Sequence, residues 1–119
     1  MIAGTGVDIV ETERIFKAIQ NGSFLNKYYT EAEQKLIEER KSRAASNFAG
    51  KEAVAKALGT GFTKFMPSDI EILRTKTGAP YVLLHNKAME TAKSLGINYI
   101  HISLSDTKST AIAYVITEY

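Results

Sequence analysis

A chain of 119 residues, 45% hydrophobic and 24% charged, has enough apolar side chains for one small core and the surface of an ordinary soluble protein. Its net charge of +2 argues against general nucleic-acid binding but leaves room for a local basic face. With no cysteine there is no disulfide frame, thiolate zinc site or thiol nucleophile, which fits the cytoplasm among other places. Met1 leads into Ile2-Ala3-Gly4 without the basic start and long apolar run of a signal peptide, and no segment approaches membrane-spanning length. Neither a membrane span nor a nucleic-acid partner is expected.

Residues 2–10 read as a strand: Ile2, Val7, Ile9 and Val10 are β-branched, and Gly4 and Gly6 permit close approach of another backbone. Asp8 sits inside this apolar run. A buried aspartate needs a cation or a hydrogen-bond donor, so Asp8 is either a structural group at a strand end or a functional one. Thr12 is placed to cap a helix from Glu13 that buries Ile15, Phe16 and Ile19, and Asn21-Gly22-Ser23 breaks it. Between Arg14 and Thr30 there is no acidic residue. Arg14, Lys17 and Lys27 alternate there with Phe16, Phe24, Tyr28 and Tyr29, which suits either an acidic partner or a solvated helix with its aromatics inward. Thr30 and Glu33 have capping-box spacing and open a helix to about Arg40, anchored by Leu36 and Ile37.

The alanine-rich run over residues 42–58 is the longest predicted helix, with Gly59 placed for a left-handed C-terminal residue. Glu52 and Lys56, four apart, share one face, while Lys51 points about 100° away from Glu52. Val54 and Leu58 suit the core. A carboxylate flanked by lysines and followed by Gly59-Thr60-Gly61 admits two readings: a metal ligand beside a phosphate pocket, or a solvated ion pair. The glycines are no Walker loop, because they close a helix instead of opening one.

Residues 61–67 form a loop with apolar content. Residues 70–74 alternate as a half-buried strand, and after a turn over 75–80 residues 81–84 return, making a hairpin. A helix follows from His85-Asn86 to about Leu95, closed by Gly96. Two final strands flank a polar turn near Ser105 to Ser109. In the first of them Ile100, Ile102 and Leu104 face one way and His101, Ser103 and Ser105 the other, as a phosphate- or water-binding line or as the wet face of an antiparallel sheet. With no repeat, linker or low-complexity tract, residues 1–119 are expected to form one α+β domain.

Taken together, Gly6-Val7-Asp8, Lys51-Glu52-Ala53-Val54-Ala55-Lys56, Gly59-Thr60-Gly61, Gly78-Ala79-Pro80-Tyr81 and His101-Ile102-Ser103-Leu104-Ser105-Asp106 form an ordered constellation. It resembles the holo-acyl-carrier-protein synthase family of the phosphopantetheinyl transferase superfamily, in its short single-domain form, across essentially the whole chain. The resemblance implies an antiparallel sheet packed on the long alanine-rich helix, and a trimer with active sites between subunits. It implies magnesium-dependent transfer of the phosphopantetheine arm of coenzyme A to a serine of apo acyl carrier protein in fatty acid biosynthesis, releasing adenosine bisphosphate.

Carried over by position, Asp8 and Glu52 hold the metal, a donor set that suits magnesium, which takes one or two carboxylates plus phosphate and water. Lys51 and Lys56 face phosphate oxygens, with Lys56 beside the breaking pyrophosphate and counted with the two acids as catalytic. Gly59, Thr60, Gly61, Gly78, Pro80, Ser103, Ser105, Asp106 and Thr107 complete the coenzyme pocket, some of them from a neighbouring chain. The acceptor serine loses its proton to a metal-bound water, to Glu52 or to another nearby group. Arg14, Lys17 and Lys27, with Phe24, dock the acidic carrier. Three positions depart from the family pattern: Asp106 where histidine is common, Ala79 where lysine is common, and Asn47 where an arginine is common.

Overall fold

Strand β1 (Ile2–Glu11) leads the chain in the computed structural model, which describes residues 1–119, and is followed by helices α1 (Thr12–Ala18), α2 (Gly22–Tyr28), α3 (Glu31–Glu39) and α4 (Arg43–Ala57). Single 3-10 turns at Gly61–Thr63 and Pro67–Asp69 lead to the hairpin of β2 (Ile70–Arg74) and β3 (Pro80–Leu84). Helix α5 (Asn86–Ser94) then leads to β4 (Tyr99–Asp106) and β5 (Thr110–Glu118). The first and last strands pair, giving an antiparallel sheet in the order β1-β5-β4, with β2-β3 as a separate two-stranded sheet. This is the expected α+β class, with the expected helix at its centre.

Helix α4 is short of amphipathic character because it is wrapped on almost every side: 12 of its 15 residues are buried. Its alanines let the sheet come close, and the glycines of β1 complete the contact. A Cβ at Gly6 would stand 2.0 Å from the Ala53 carbonyl oxygen, and one at Gly4 would stand 2.3 Å from that of Ala57. Strand and helix therefore touch main chain to main chain. Ala111, Ala113 and Val115 of β5 cover the helix from the same sheet face, and Ile70 and Ile72 of β2 are fully buried in the same core.

The outer face of the three-stranded sheet is left bare. Val7 pairs with Tyr114, and Ile9 with Ile112, across β1 and β5, with Ser103 and Ser105 opposite them on β4. Val7, Ile9, Ile112 and Tyr114 are 40–66% exposed. An apolar row of this kind on an antiparallel sheet is more than scattered surface hydrophobes.

Local details follow the chemistry of single residues. Thr30 and Glu33 form the expected capping box, and Gly59 (φ 78°) ends the turn after α4. Thr12 does not cap α1; it is the helix's first residue, and the capping position falls to Glu11 without a side-chain bond. The Asn21-Gly22-Ser23 break also starts α2, a helix the periodicity does not predict. Asn21 Oδ1 accepts from the backbone N–H groups of Ser23 (2.9 Å) and Phe24 (3.3 Å), so the breaker is itself a cap.

Candidate active site

Gly4, Gly6 and Asp8 alternate along the face of β1 that lies on α4. Where the glycines end, the Asp8 side chain emerges beside the second half of the helix, only 18% exposed. Lys56 reaches across from α4, its Nζ donating to the Val7 carbonyl at 2.9 Å and to Asp8 Oδ1 at 3.4 Å. Glu52, one turn earlier on the same helix face, is half-buried and accepts a 3.4 Å hydrogen bond from the Tyr28 hydroxyl of α2. Burial and the neighbouring Asp8 carboxylate push Glu52 above the ordinary carboxylate range. Two carboxylates from different elements thus repel each other across a short gap with one ammonium beside them.

This donor set suits a hard divalent cation. Both acids offer only oxygens and no third acidic or imidazole group joins them, so a cation held there would take its other positions from water or a phosphate.

The residues expected to contact coenzyme are not gathered in one place. Gly78, Pro80, Ser105 and Asp106 line a polar cavity of about 380 Å³ together with Arg40, Arg43, Arg74 and Lys76. Gly59 and Lys56 line a separate recess of about 270 Å³ with Gly4, Leu95 and Tyr119. Ser103 lies on the outer sheet face, opposite in parity to the strand positions that face α4. The hydroxyl of Thr107 accepts from the Thr110 N–H at 3.2 Å and closes the β4–β5 turn, while that of Thr60 donates to the Gly61 carbonyl at 3.0 Å. Within one chain the acids and the basic cavity are therefore distinct surfaces.

Lys51 requires a correction. The expectation that it faces phosphate fails because its side chain is fully buried on the opposite side of α4 from solvent. Its Nζ donates to Glu33 Oε1 at 2.7 Å, to the Pro67 carbonyl at 3.1 Å and to the Ile70 carbonyl, which uses all three of its hydrogens. The spacing from Glu52 set its direction correctly, but that direction is inward.

The cations of the cavity escaped the sequence reading. Arg40 and Arg43 stand just before and at the start of α4, while Arg74 ends β2 and Lys76 lies in the turn that follows it. Asn47, one of the three departures from the family pattern, is buried, and a guanidinium comes to it from β2, Arg74 Nη2 donating to Asn47 Oδ1 at 2.8 Å. Burial and the nearby Arg43 charge lower the Arg74 pKa, against a smaller opposing pull from Glu33. Asp106 lines this cavity as its one carboxylate.

Of the expected docking residues, Arg14, Lys17 and Lys27 are exposed on α1 and α2. Phe24 stacks on Tyr28 (centroids 4.6 Å apart), and Tyr28 on Phe48 (5.1 Å), with the Arg14 guanidinium 5.8 Å from the Phe48 ring centroid. The basic surface thus borders Glu52 through Tyr28.

The first strand thus pairs with the last over a glycine-alanine contact, with two acids beside it. Residues 4–115 match the model of the 4'-phosphopantetheinyl transferase superfamily, and the chain belongs to that superfamily. Within it the likeness is to holo-acyl-carrier-protein synthases. The sequence is 48% identical over 118 residues to that of Lachnoclostridium phytofermentans, covering 99% of this chain and 97% of the relative. Among solved structures, the holo-acyl-carrier-protein synthase of Neisseria meningitidis superposes with a TM-score of 0.91 at 30% identity, over 100% of both chains. That of Helicobacter pylori, in complex with coenzyme A, superposes with a TM-score of 0.86 at 31% identity, over 96% of this chain and 99% of the other.

Proposed function

We propose that this enzyme transfers the phosphopantetheine arm of coenzyme A to a serine of apo acyl carrier protein, with magnesium, in cytoplasmic fatty acid biosynthesis. The observation that carries this reading is the juxtaposition of Asp8, Glu52 and Lys56 across the β1–α4 contact. The donor's pyrophosphate is cleaved: the serine oxygen bonds to the phosphorus bearing pantetheine, and adenosine bisphosphate leaves. A magnesium ion held by Asp8 and Glu52 would neutralise charge on that pyrophosphate. Lys56 adds a second positive charge at the same place, already oriented by Val7 and Asp8. The serine proton would pass to a metal-bound water, to Glu52 or to another group at the same place. Arg40, Arg43, Arg74 and Lys76 hold the adenosine phosphates.

The division of these groups between two surfaces supports a trimer, in which the basic cavity of one subunit meets the acids of the next. The bare sheet face with Val7, Ile9, Ile112 and Tyr114 gives such an assembly apolar area to bury. Sedimentation equilibrium is expected to return three times the chain mass; a monomer at active concentrations would count against a shared site.

The deciding assay mixes the protein with coenzyme A, magnesium and apo carrier, and reads the carrier's mass. A gain equal to the phosphopantetheine arm is expected, and no gain with any carrier leaves only a non-enzymatic binding module. In the same assay Arg14→Glu should raise the KM for the acidic carrier about tenfold or more and leave that for coenzyme A unchanged, with the effect shrinking in high salt. Equal changes in both constants would remove Arg14, and with it Lys17, Phe24 and Lys27, from the docking surface.

A further inference from the structure

One buried carboxylate joins the two halves of this site. Glu33, the N3 residue of α3, is fully buried, and each of its oxygens accepts two hydrogen bonds. Oε1 takes the Thr30 N–H at 3.1 Å and the Lys51 ammonium at 2.7 Å. Oε2 takes the Asn47 amide at 2.9 Å and the Ile72 N–H at 3.3 Å. The donors come from the α3 cap, from α4 and from β2, the three segments that meet beneath the basic cavity.

Asn47 passes this anchor outward. Its Nδ2 has two hydrogens, and both are used, on Glu33 Oε2 and on the Ile72 carbonyl, each at 2.9 Å. Acceptors on that side dictate the orientation of the amide, so Oδ1 has to face the other way. There it receives Arg74 Nη2 at 2.8 Å, at the cavity wall. No buried side-chain nitrogen or oxygen is left without a partner, so the network is closed. Arg74 is held a second time by its own strand, Nη1 donating to the Leu73 carbonyl at 3.3 Å, and a guanidinium fixed in this way loses little further freedom when its remaining donors meet an anion.

We infer that Asn47, oriented by Glu33, is a positioning residue that presents the Arg74 guanidinium to a phosphate of the coenzyme. This rests on the reading of the basic cavity as the coenzyme site. It also assigns a purpose to an asparagine that packing alone does not require on an alanine-rich helix. Asn47→Leu removes the amide at similar volume and leaves Arg74 only its 3.3 Å bond to the Leu73 carbonyl. Glu52 and Asp8 are untouched, so turnover at saturating coenzyme should survive.

The test is a double-mutant cycle of Asn47→Leu and Arg74→Gln, read by calorimetric titration of coenzyme A and by steady-state kinetics. In the native background Asn47→Leu should weaken coenzyme A binding roughly tenfold, the size of a lost hydrogen bond to a charged group, with kcat within about twofold. In the Arg74→Gln background it should change neither. Equal losses in both backgrounds, or none in the native one, overturn the inference. If Asn47→Leu does not fold, Asn47→Ser, which is smaller and admits water, takes its place in the same cycle. If the native protein binds no coenzyme A, the proposed function falls instead. The cycle read by urea unfolding then still reports whether Asn47 and Arg74 are coupled, and additivity there rejects the positioning role separately.

Discussion

Glu52→Gln should abolish phosphopantetheine transfer and at the same time raise the thermal midpoint of the ligand-free protein. The amide keeps the shape and still accepts the Tyr28 hydroxyl, but it does not offer a charged oxygen to a divalent cation. The stability gain follows from linkage. Glu52 titrates higher when folded than when unfolded, because burial and Asp8 oppose its charge. Its contribution therefore favours the folded state below the unfolded carboxylate range and is lost as pH rises through the folded value. At neutral pH the cost is fully expressed, and the neutral amide removes it. Melting curves at neutral pH should place the variant above the native protein, with the gap closing toward acid. Added magnesium chloride should raise the native midpoint and leave the variant's unmoved. A variant that melts lower at neutral pH, or responds to magnesium as the native protein does, would sink the carboxylate pair as a cation site.

Lys51→Met should destabilise the fold severely, by about 3–5 kcal/mol, because it strands the Glu33 carboxylate in the core with its cation gone. A small domain has roughly 5–15 kcal/mol in all, so much of the population would unfold near physiological temperature. Adding Glu33→Gln to this variant should recover part of the loss, since a neutral amide tolerates the missing ammonium. Urea unfolding of both variants measures the difference. A stable Lys51→Met that loses only coenzyme affinity would restore the phosphate contact that the buried geometry rejects.

The main elements were legible because each carries a local signal. The alanine run, the Thr30–Glu33 box, the glycine at the end of α4 and the alternation of β2 and β4 all act over a few residues. That Asp8 and Glu52 come near one another was legible through their ordered motifs. What stayed hidden was tertiary. Lys51 differs from Lys56 only in which side of the helix meets Glu33, and that depends on where α3 packs. The basic cavity draws Arg40 and Arg43 from one end of α4 and Arg74 and Lys76 from a distant hairpin, so no single window shows four cations. Helix α2 was masked because Asn21-Gly22-Ser23 reads as a stop, while the same asparagine side chain serves as a start.

Because Gly6 rests on the Ala53 carbonyl with no side chain between, the separation of Asp8 from the Glu52 turn is set by bare polypeptide. Exchanging one aliphatic for another at Val54 or Val115 alters the melting point through cavity or crowding, yet has no shim to thin or thicken under the acids. Engineering for heat tolerance can therefore draw on those interior positions freely, whereas a single methyl at residue 6 would pry the strand from the helix and spread Asp8 and Glu52 apart.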